Sequence, residues 1–313
     1  MNLLKKVSAG EERDYERRNT VGQRERYLSN NSLERYVNDA GYSGKVNLAK
    51  QFLESHEGDG FVLDLGAAAG GESEILLHHG HKMVPIDVNE VALSYSKIRA
   101  KKFRNEEMPC HAADAHNLPF ADGTFDKIIA LEALHHMERI ESVFAELYRV
   151  LKPGGHMFTL EPYSYNPYRR LSEVRDYFRG TIEKSFSERY LTQLFNRYDF
   201  QIISLRKVVL PPSTWKKQYV TKMRAFLKDL HYSIAKSLPA VFGNLAFVAK
   251  KPGTFNKNTH FSLEDRLICP ITGGPLQYQD EAYVTASGYP KRYRYPISDH
   301  VPVLIREDAV EFQ

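Results

Sequence analysis

The residues able to do chemistry gather at three short stretches. The first is Asp64-Leu65-Gly66-Ala67-Ala68-Ala69-Gly70-Gly71. Small side chains at such a turn let the backbone approach a ligand, and a following helix offers its unpaired N–H groups. Asp87 closes the next apolar run, about 20 residues further on, where a carboxylate can accept hydrogen bonds from both hydroxyls of a ribose. Loop and acid together predict a nucleoside held at the carboxyl ends of strands. The dinucleotide pattern G-x-G-x-x-G is absent. The second stretch holds Asp114, a residue type that can cap a helix or turn, and Ala115. The third is Glu132-Ala133-Leu134-His135-His136, followed by Glu161, Tyr163 and Asn166 in the aromatic and basic run EPYSYNPYRR (161–170). A histidine titrates near neutrality and suits proton transfer.

These groups fall at junctions between regular elements. FVLDL (61–65), KMVPID (82–87), a weaker 108–112, FDKIIAL (125–131) and HMFTLE (156–161) are apolar runs of strand length. Helices are expected over 72–79, 91–103 and 140–151, the last stopped by Pro153-Gly154-Gly155. QIISLRKVV (201–209) and NLAFVAK (244–250) supply two more strands. Strands alternating with helices predict an α/β fold: a doubly wound, mostly parallel, seven-stranded Rossmann-like sheet with a small β-rich C-terminal domain. The expected boundaries are 1–252 for the main domain and 260–313 for the small one, with KPGTFNKN (251–258) as linker. Within the main domain, residues 1–60 form a helical cap with Tyr15, Tyr27, Leu33, Tyr36 and Val37 buried. Residues 205–239 are a basic insert.

With 42% hydrophobic and 26% charged residues in 313, the composition is that of a globular protein. A net charge of +4 gives no argument for nucleic acid. Two cysteines, Cys110 and Cys269, exclude a disulfide framework and point to a reducing, cytoplasmic setting. No run is long and apolar enough to span a bilayer or act as a signal peptide. The insert carries eight basic residues and one acidic one. Trp215, Tyr219, Met223, Phe226, Leu230 and Ile234 recur there at helical spacing. A basic amphipathic helix near 213–236 either packs its stripe on the core or lies on an anionic membrane surface.

Three stretches, VLDLGAAAGG (62–71), ADAHNLPFADGTFDKIIALEALHHM (113–137) and LYRVLKPGGHM (147–157), resemble the class I S-adenosylmethionine-dependent methyltransferases. The likeness is strongest to the branch that includes ubiquinone and menaquinone biosynthesis enzymes, and it runs over roughly residues 40–250. The chain departs from the family loop in having Ala68 where a middle glycine is usual. The resemblance implies S-adenosylmethionine as cofactor. It places Asp64, Gly66, Ala67, Ala68 and Gly70 at the methionine end, Asp87 and Val88 at the ribose, Asp114 and Ala115 at the adenine, and Leu131 beside the sulfonium. The carboxyl ends of the fourth and fifth strands carry Glu132, His135 and His136, the catalytic candidates, and Glu161, Tyr163 and Asn166, expected to face the acceptor; the resemblance makes His136 the preferred base. In related quinone O-methyltransferases acidic and His side chains after the fourth strand hold a divalent cation. Here His135 replaces the second acid, and no metal is expected. The acceptor is expected to be a small or lipid-linked metabolite methylated on oxygen or nitrogen. A tRNA or protein methyltransferase and a non-catalytic cofactor-binding protein are the alternatives. DNA is not an expected partner, and RNA is a weaker prospect than a small molecule.

The last fifty residues, with CPITGGPL (269–276) and YPISDHVPVL (295–304), resemble the small zinc-ribbon-like activator subunit of tRNA and translation-factor methyltransferases. That family has a Cys-x-x-Cys pair. Here Thr272 stands in the partner's place, so the resemblance implies a tail that has lost its zinc ligands and packs on the catalytic domain.

Overall fold

The computed structural model describes residues 17, 20–29, 31–167, 185–211, 232–256 and 261–312. Most of the basic segment near 213–236, Tyr15, and residues 168–170 of the aromatic run lie outside these.

Seven strands form the main sheet: β1 Phe61–Leu65, β2 Lys82–Asp87, β3 His111–Ala112, β4 Phe125–Leu131, β5 Leu151–Glu161, β6 Gln201–Val208 and β7 Asn244–Lys250. Their order is β3-β2-β1-β4-β5-β7-β6. The first five are parallel, and β7 runs antiparallel to both neighbours. This is the mostly parallel α/β sheet expected. Chain direction along the sheet reverses between β1 and β4, and open α/β sheets bind ligands at such a switch point.

Helices cover both faces, which is why the strands read as nearly unbroken apolar runs. On one face, α6 (Ile140–Val150) buries Ile140, Val143, Phe144, Leu147 and Val150, and α7 (Glu188–Arg197) buries Leu191, Leu194 and Phe195. On the other, α3 (Ala40–Ser55) and α4 (Gly71–His78) bury Val46, Ala49, Phe52, Leu53, Ile75 and Leu76. Helix α5 (Glu90–Arg104) starts at Asn89, whose side chain accepts from the Ala92 amide. Two short helices precede α3: α1 (Arg24–Ser29) and α2 (Ser32–Asn38). In α2 the expected apolar face is turned outward, with Leu33 and Val37 exposed and Ser32 buried. Tyr27 and Tyr36 are half-buried. Two isolated apolar residues are too weak a stripe to set the rotation of a seven-residue helix.

The largest departures from the expected boundaries are at the third and fifth strands. The third strand is only His111–Ala112, and β5 begins at Leu151, directly after α6. Pro153-Gly154-Gly155 therefore lies inside β5 rather than in a turn. Gly154 has φ +78°, and a Cβ there would lie 2.6 Å from the Phe255 nitrogen. The glycine is required because residues 251–256 run against it, the Gly154 and Lys251 amides bonding the Lys251 and Gly155 carbonyls. The segment expected to be a linker is thus anchored over its first half, and the Lys251 ammonium also bonds the Tyr148 and Leu151 carbonyls.

The tail forms a second, five-stranded antiparallel sheet of β8 Leu276–Gln279, β9 Ala282–Thr285, β10 Arg292–Ser298, β11 Val301–Pro302 and β12 Val310–Phe312. It is joined to the main domain by backbone. The Leu304 amide bonds the Ala112 carbonyl at the β3 edge, Ile268 bonds Pro119, and Ala121 bonds Arg266. Leu267, Cys269, Tyr295 and Leu304 belong to the same buried cluster as Phe120, Phe125 and Phe144. Val301, Val303 and Ile305 pack with Leu93 and Met108.

Candidate active site

At the carboxyl end of β1 the chain turns on three left-handed residues, Gly66 (φ +69°), Ala68 (φ +47°) and Gly70 (φ +62°). At Gly66 a Cβ would come 2.8 Å from the Ala133 Cβ, so the loops after β1 and β4 touch there. At Gly70 it would collide with the Ser96 hydroxyl. Ala68 adopts the left-handed conformation despite its side chain, which accounts for the usual glycine there. Its amide donates to Asp87 at 2.8 Å, and the other Asp87 oxygen accepts from the Asn89 amide at 2.9 Å. The Val88 amide also bears on this carboxylate, whose roughly four lone-pair sites leave room for a further donor.

Asp64 is buried and accepts from the Ser73 hydroxyl at 2.6 Å. It orients α4, not the loop amides. Burial pushes its carboxyl up to about 7, with Glu72 and Asp87 adding to the push and Ser73 and Lys45 opposing it. Lys45, projecting from α3, lies 3.0 Å from Glu72 and 3.1 Å from Glu132. Burial works against its charge, but those two carboxylates hold its pKa above the ordinary value. Glu72 stays below its ordinary value because Lys45 outweighs the effect of burial. Glu132 itself is left-handed (φ +57°) at the end of β4. One ammonium thus pins the cap helix to the loops after β1 and β4.

Among the described residues, Asp64, Glu72, Asp87 and Glu132 gather here, with Lys45 between Glu72 and Glu132 and Arg35 also acting on Glu72, so the carboxylates outnumber the cations. S-Adenosylmethionine carries an ammonium and a sulfonium, so its amino-acid end fits these walls and its backbone fits the glycine cradle. A pyrophosphate at the same loop would meet Asp64 and Glu72 instead.

The Asp114 carboxylate accepts from the backbone amide and ring Nδ1 of His116. These bonds hold its pKa down against partial burial. Ala115 is buried, and Leu131 and Val88 are half-buried. The neighbouring Asn117 donates to the Pro270 carbonyl of the tail.

Glu161 differs from expectation. It is fully buried, and its oxygens accept from the amides of Ala133 (3.1 Å), Leu134 (2.9 Å) and His135 (3.3 Å) and meet His135 Nδ1 at 2.9 Å. It builds the turn after β4 and does not face an acceptor. His135 is turned inward with it, and His136 is exposed, its ring centroid 4.0 Å from that of His135. Tyr163 is buried beneath the Lys207 ammonium, and Asn166 donates to the Phe242 carbonyl. Neither joins Glu132 and His136. A cavity of about 420 Å³ opens nearby, lined by the apolar Met137, Ile140, Phe186 and Tyr190 and by the charged and hydroxyl side chains of Glu138, Arg139, Glu141, Ser164, Ser185 and Ser187. Met137 also reaches the Gly66 turn, so the cavity lies beside the cofactor loop.

Two residues of this site have no motif to announce them. Lys45 is one. The other is Arg99 on α5, buried and bonded to the Ala69 and Tyr27 carbonyls and paired with Glu74. A charged residue at an apolar position of a helical pattern is the signal that marks Arg99. Among the described residues, no group of three or more His, Cys, Asp or Glu is placed to hold a metal.

Residues 63–159 match the methyltransferase domain family. The yeast Saccharomyces cerevisiae sterol 24-C-methyltransferase ERG6 is 36% identical over 96 residues, 30% of this chain and 25% of that protein. The ubiquinone/menaquinone biosynthesis C-methyltransferase UbiE of Desulfotalea psychrophila is 32% identical over 115 residues, 36% of this chain and 46% of that one. The match thus spans a quarter to just under half of these relatives. Among solved structures, YcgJ of Bacillus subtilis superposes with a TM-score of 0.51 at 17% identity, over 68% of this chain and all of that one. It shares the fold. The chain therefore carries a class I S-adenosylmethionine-dependent methyltransferase domain. The cofactor of such a domain is S-adenosylmethionine. The phosphoethanolamine N-methyltransferase 2 of Haemonchus contortus, solved in complex with S-adenosylmethionine, shares the fold (TM-score 0.50, 15% identity, 67% of this chain and 53% of that one).

Proposed function

We propose that the whole chain is a methyltransferase acting on a small or lipid-like acceptor of amphipathic shape. The observation that carries the reading is the cavity beside the Gly66 turn, whose lining mixes apolar side chains with charged and hydroxyl ones. The relatives named for sterol and quinone methylation support the same class of acceptor, and they favour carbon over the oxygen or nitrogen first expected. Bound S-adenosylmethionine supplies a methyl group made electrophilic by its sulfonium. Asp64 and Glu72 hold the cationic amino-acid end, Asp87 the ribose, and the loop at Asp114 and Ala115 the adenine. Lys45 fixes Glu132 at the mouth. Displacement needs alignment above all, and the Gly66–Ala133 contact together with the Glu161 bonds keeps the two loops in register. The acceptor sheds one proton, from a hydroxyl or from the newly methylated carbon. The exposed His136 is the group suited to take it.

The test is labelled S-adenosylmethionine offered to the purified protein with sterols, demethylated quinones and bulk tRNA in parallel. Label entering the lipid-like acceptors is expected. Label entering only tRNA would replace the acceptor class, and failure to bind cofactor would remove the reading altogether.

A further inference from the structure

Helix α2 turns a polar side inward. Ser32 is 2% exposed, whereas Leu33 and Val37 face out. Arg35, on the same side one turn on, sets its guanidinium carbon 4.3 Å from the centre of the Tyr42 ring on α3. These side chains meet the start of α4. A Cβ added to Gly71 would lie 2.8 Å from the Tyr42 hydroxyl oxygen and 3.5 Å from that of Ser32. Gly71 directly follows Gly70, the last left-handed residue of the cofactor loop, and Gly70 brings no side chain to cap the helix.

Three donors gather there without an acceptor. The hydroxyls of Ser32 and Tyr42 and the Nε of Arg35 are buried atoms with no hydrogen-bond partner among the described residues. Buried polar atoms are nearly always paired, so three orphans at one place mark a missing acceptor. Burial holds the Tyr42 pKa well above its ordinary value, with Glu72 adding to the rise and Arg35 opposing it. The hydroxyl therefore keeps its proton and can donate. The first amides of α4 have no carbonyl of their own helix to bond, and its dipole is positive at that end. Every one of these features suits an anion. Lys45, one turn beyond Tyr42 on α3, is already paired with Glu72 and Glu132.

The amino-acid end of S-adenosylmethionine carries a carboxylate beside its ammonium. Asp64 and Glu72 suit the ammonium and repel the carboxylate. We propose that Ser32, Arg35 and Tyr42 hold this carboxylate against the start of α4, so that the helical cap completes the cofactor site. Both hydroxyls are closed to solvent without the ligand, so binding includes a slight parting of α2 and α3 from Gly71. The inference rests on the amino-acid end lying at this loop, as proposed above, and the experiment separates the two. Calorimetry on the full-length protein compares S-adenosylmethionine with its decarboxylated form, which keeps the ammonium and the sulfonium. Wild type should prefer the carboxylated ligand. Tyr42→Phe keeps the ring beside Arg35 and removes only the hydroxyl. It and Ser32→Ala should each weaken S-adenosylmethionine binding about tenfold and leave the decarboxylated ligand within about twofold of wild type. Each variant deletes a hydroxyl that has no partner, so without ligand each should melt no lower than wild type by circular dichroism. Equal losses for the two ligands would mean that the hydroxyls only support the fold, and they overturn the proposal. Unchanged S-adenosylmethionine affinity in both variants overturns it too, and leaves the methyltransferase reading standing. Wild type that binds neither ligand fails that reading and this one with it.

Discussion

Replacing Asp64 with Asn removes the buried charge at the cofactor loop and leaves an oxygen to accept the Ser73 hydroxyl. In the folded protein without ligand this carboxyl has been moved from 3.8 to about 7, which corresponds to about 4 kcal/mol in favour of the protonated form. Between those two pH values the folded protein keeps a proton that the unfolded chain releases. Stability attributable to Asp64 is therefore complete below pH 4, declines as pH rises, and levels off above about 7. For a chain this long, 1 kcal/mol is about 1.5 °C in Tm. The variant should melt with the wild type near pH 4 and up to about 6 °C above it at pH 8. Thermal melts followed by circular dichroism between pH 4 and 8 measure the difference. Calorimetry should show the variant losing S-adenosylmethionine affinity, because the cationic end of the cofactor is what makes the ionised Asp64 favourable. Melting curves that stay parallel across the whole pH range would refute the account of Asp64 as a charge held for the ligand.

Asp87→Ala should weaken cofactor binding by about 1.5–3 kcal/mol, the scale of hydrogen bonds to a charged group, as read by calorimetry. Glu161→Ala leaves three amides and the His135 ring without their acceptor; it should cost about 3–5 kcal/mol of stability in urea unfolding, with Glu161→Gln in between. His136→Ala should lower single-turnover methyl transfer by about 10²–10⁴-fold with cofactor affinity unchanged, and a variant as fast as wild type would remove His136 from the proton step. Deleting residues 260–313 exposes the faces now covered by Leu267, Tyr295, Val301, Val303 and Leu304, and the truncated protein should be insoluble or unfolded on expression; an equally stable truncation would show a loosely tethered module.

The central sheet was readable because its strands are buried on both faces and so appear as apolar runs closed by Gly, Asp or Pro. β2, β4 and β7 match their expected limits residue for residue. The cofactor loop was readable for a related reason: left-handed turns demand small residues, and Gly66, Ala68 and Gly70 are the three that need them. Long-range partners leave no local trace. Glu161 looked like a cleft residue because it ends β5, but three unpaired amides after β4 draw its carboxylate inward. Lys45 is 87 residues from Glu132, and spacing cannot reveal such a bond. Pro153-Gly154-Gly155 has the composition of a turn, and only the approach of Phe255 explains why its glycines stand inside a strand.

The bond from Leu304 to Ala112 has a consequence for how this molecule behaves at low abundance. A two-residue strand at a sheet margin is a poor partner for anything it must first encounter by diffusion. Here the segment that covers it is part of the same polypeptide and never drops below its tethered local concentration. Two-chain assemblies come apart as they are diluted, whereas this margin stays covered in a single molecule. Synthesis of one chain fixes the ratio of the two parts at one to one.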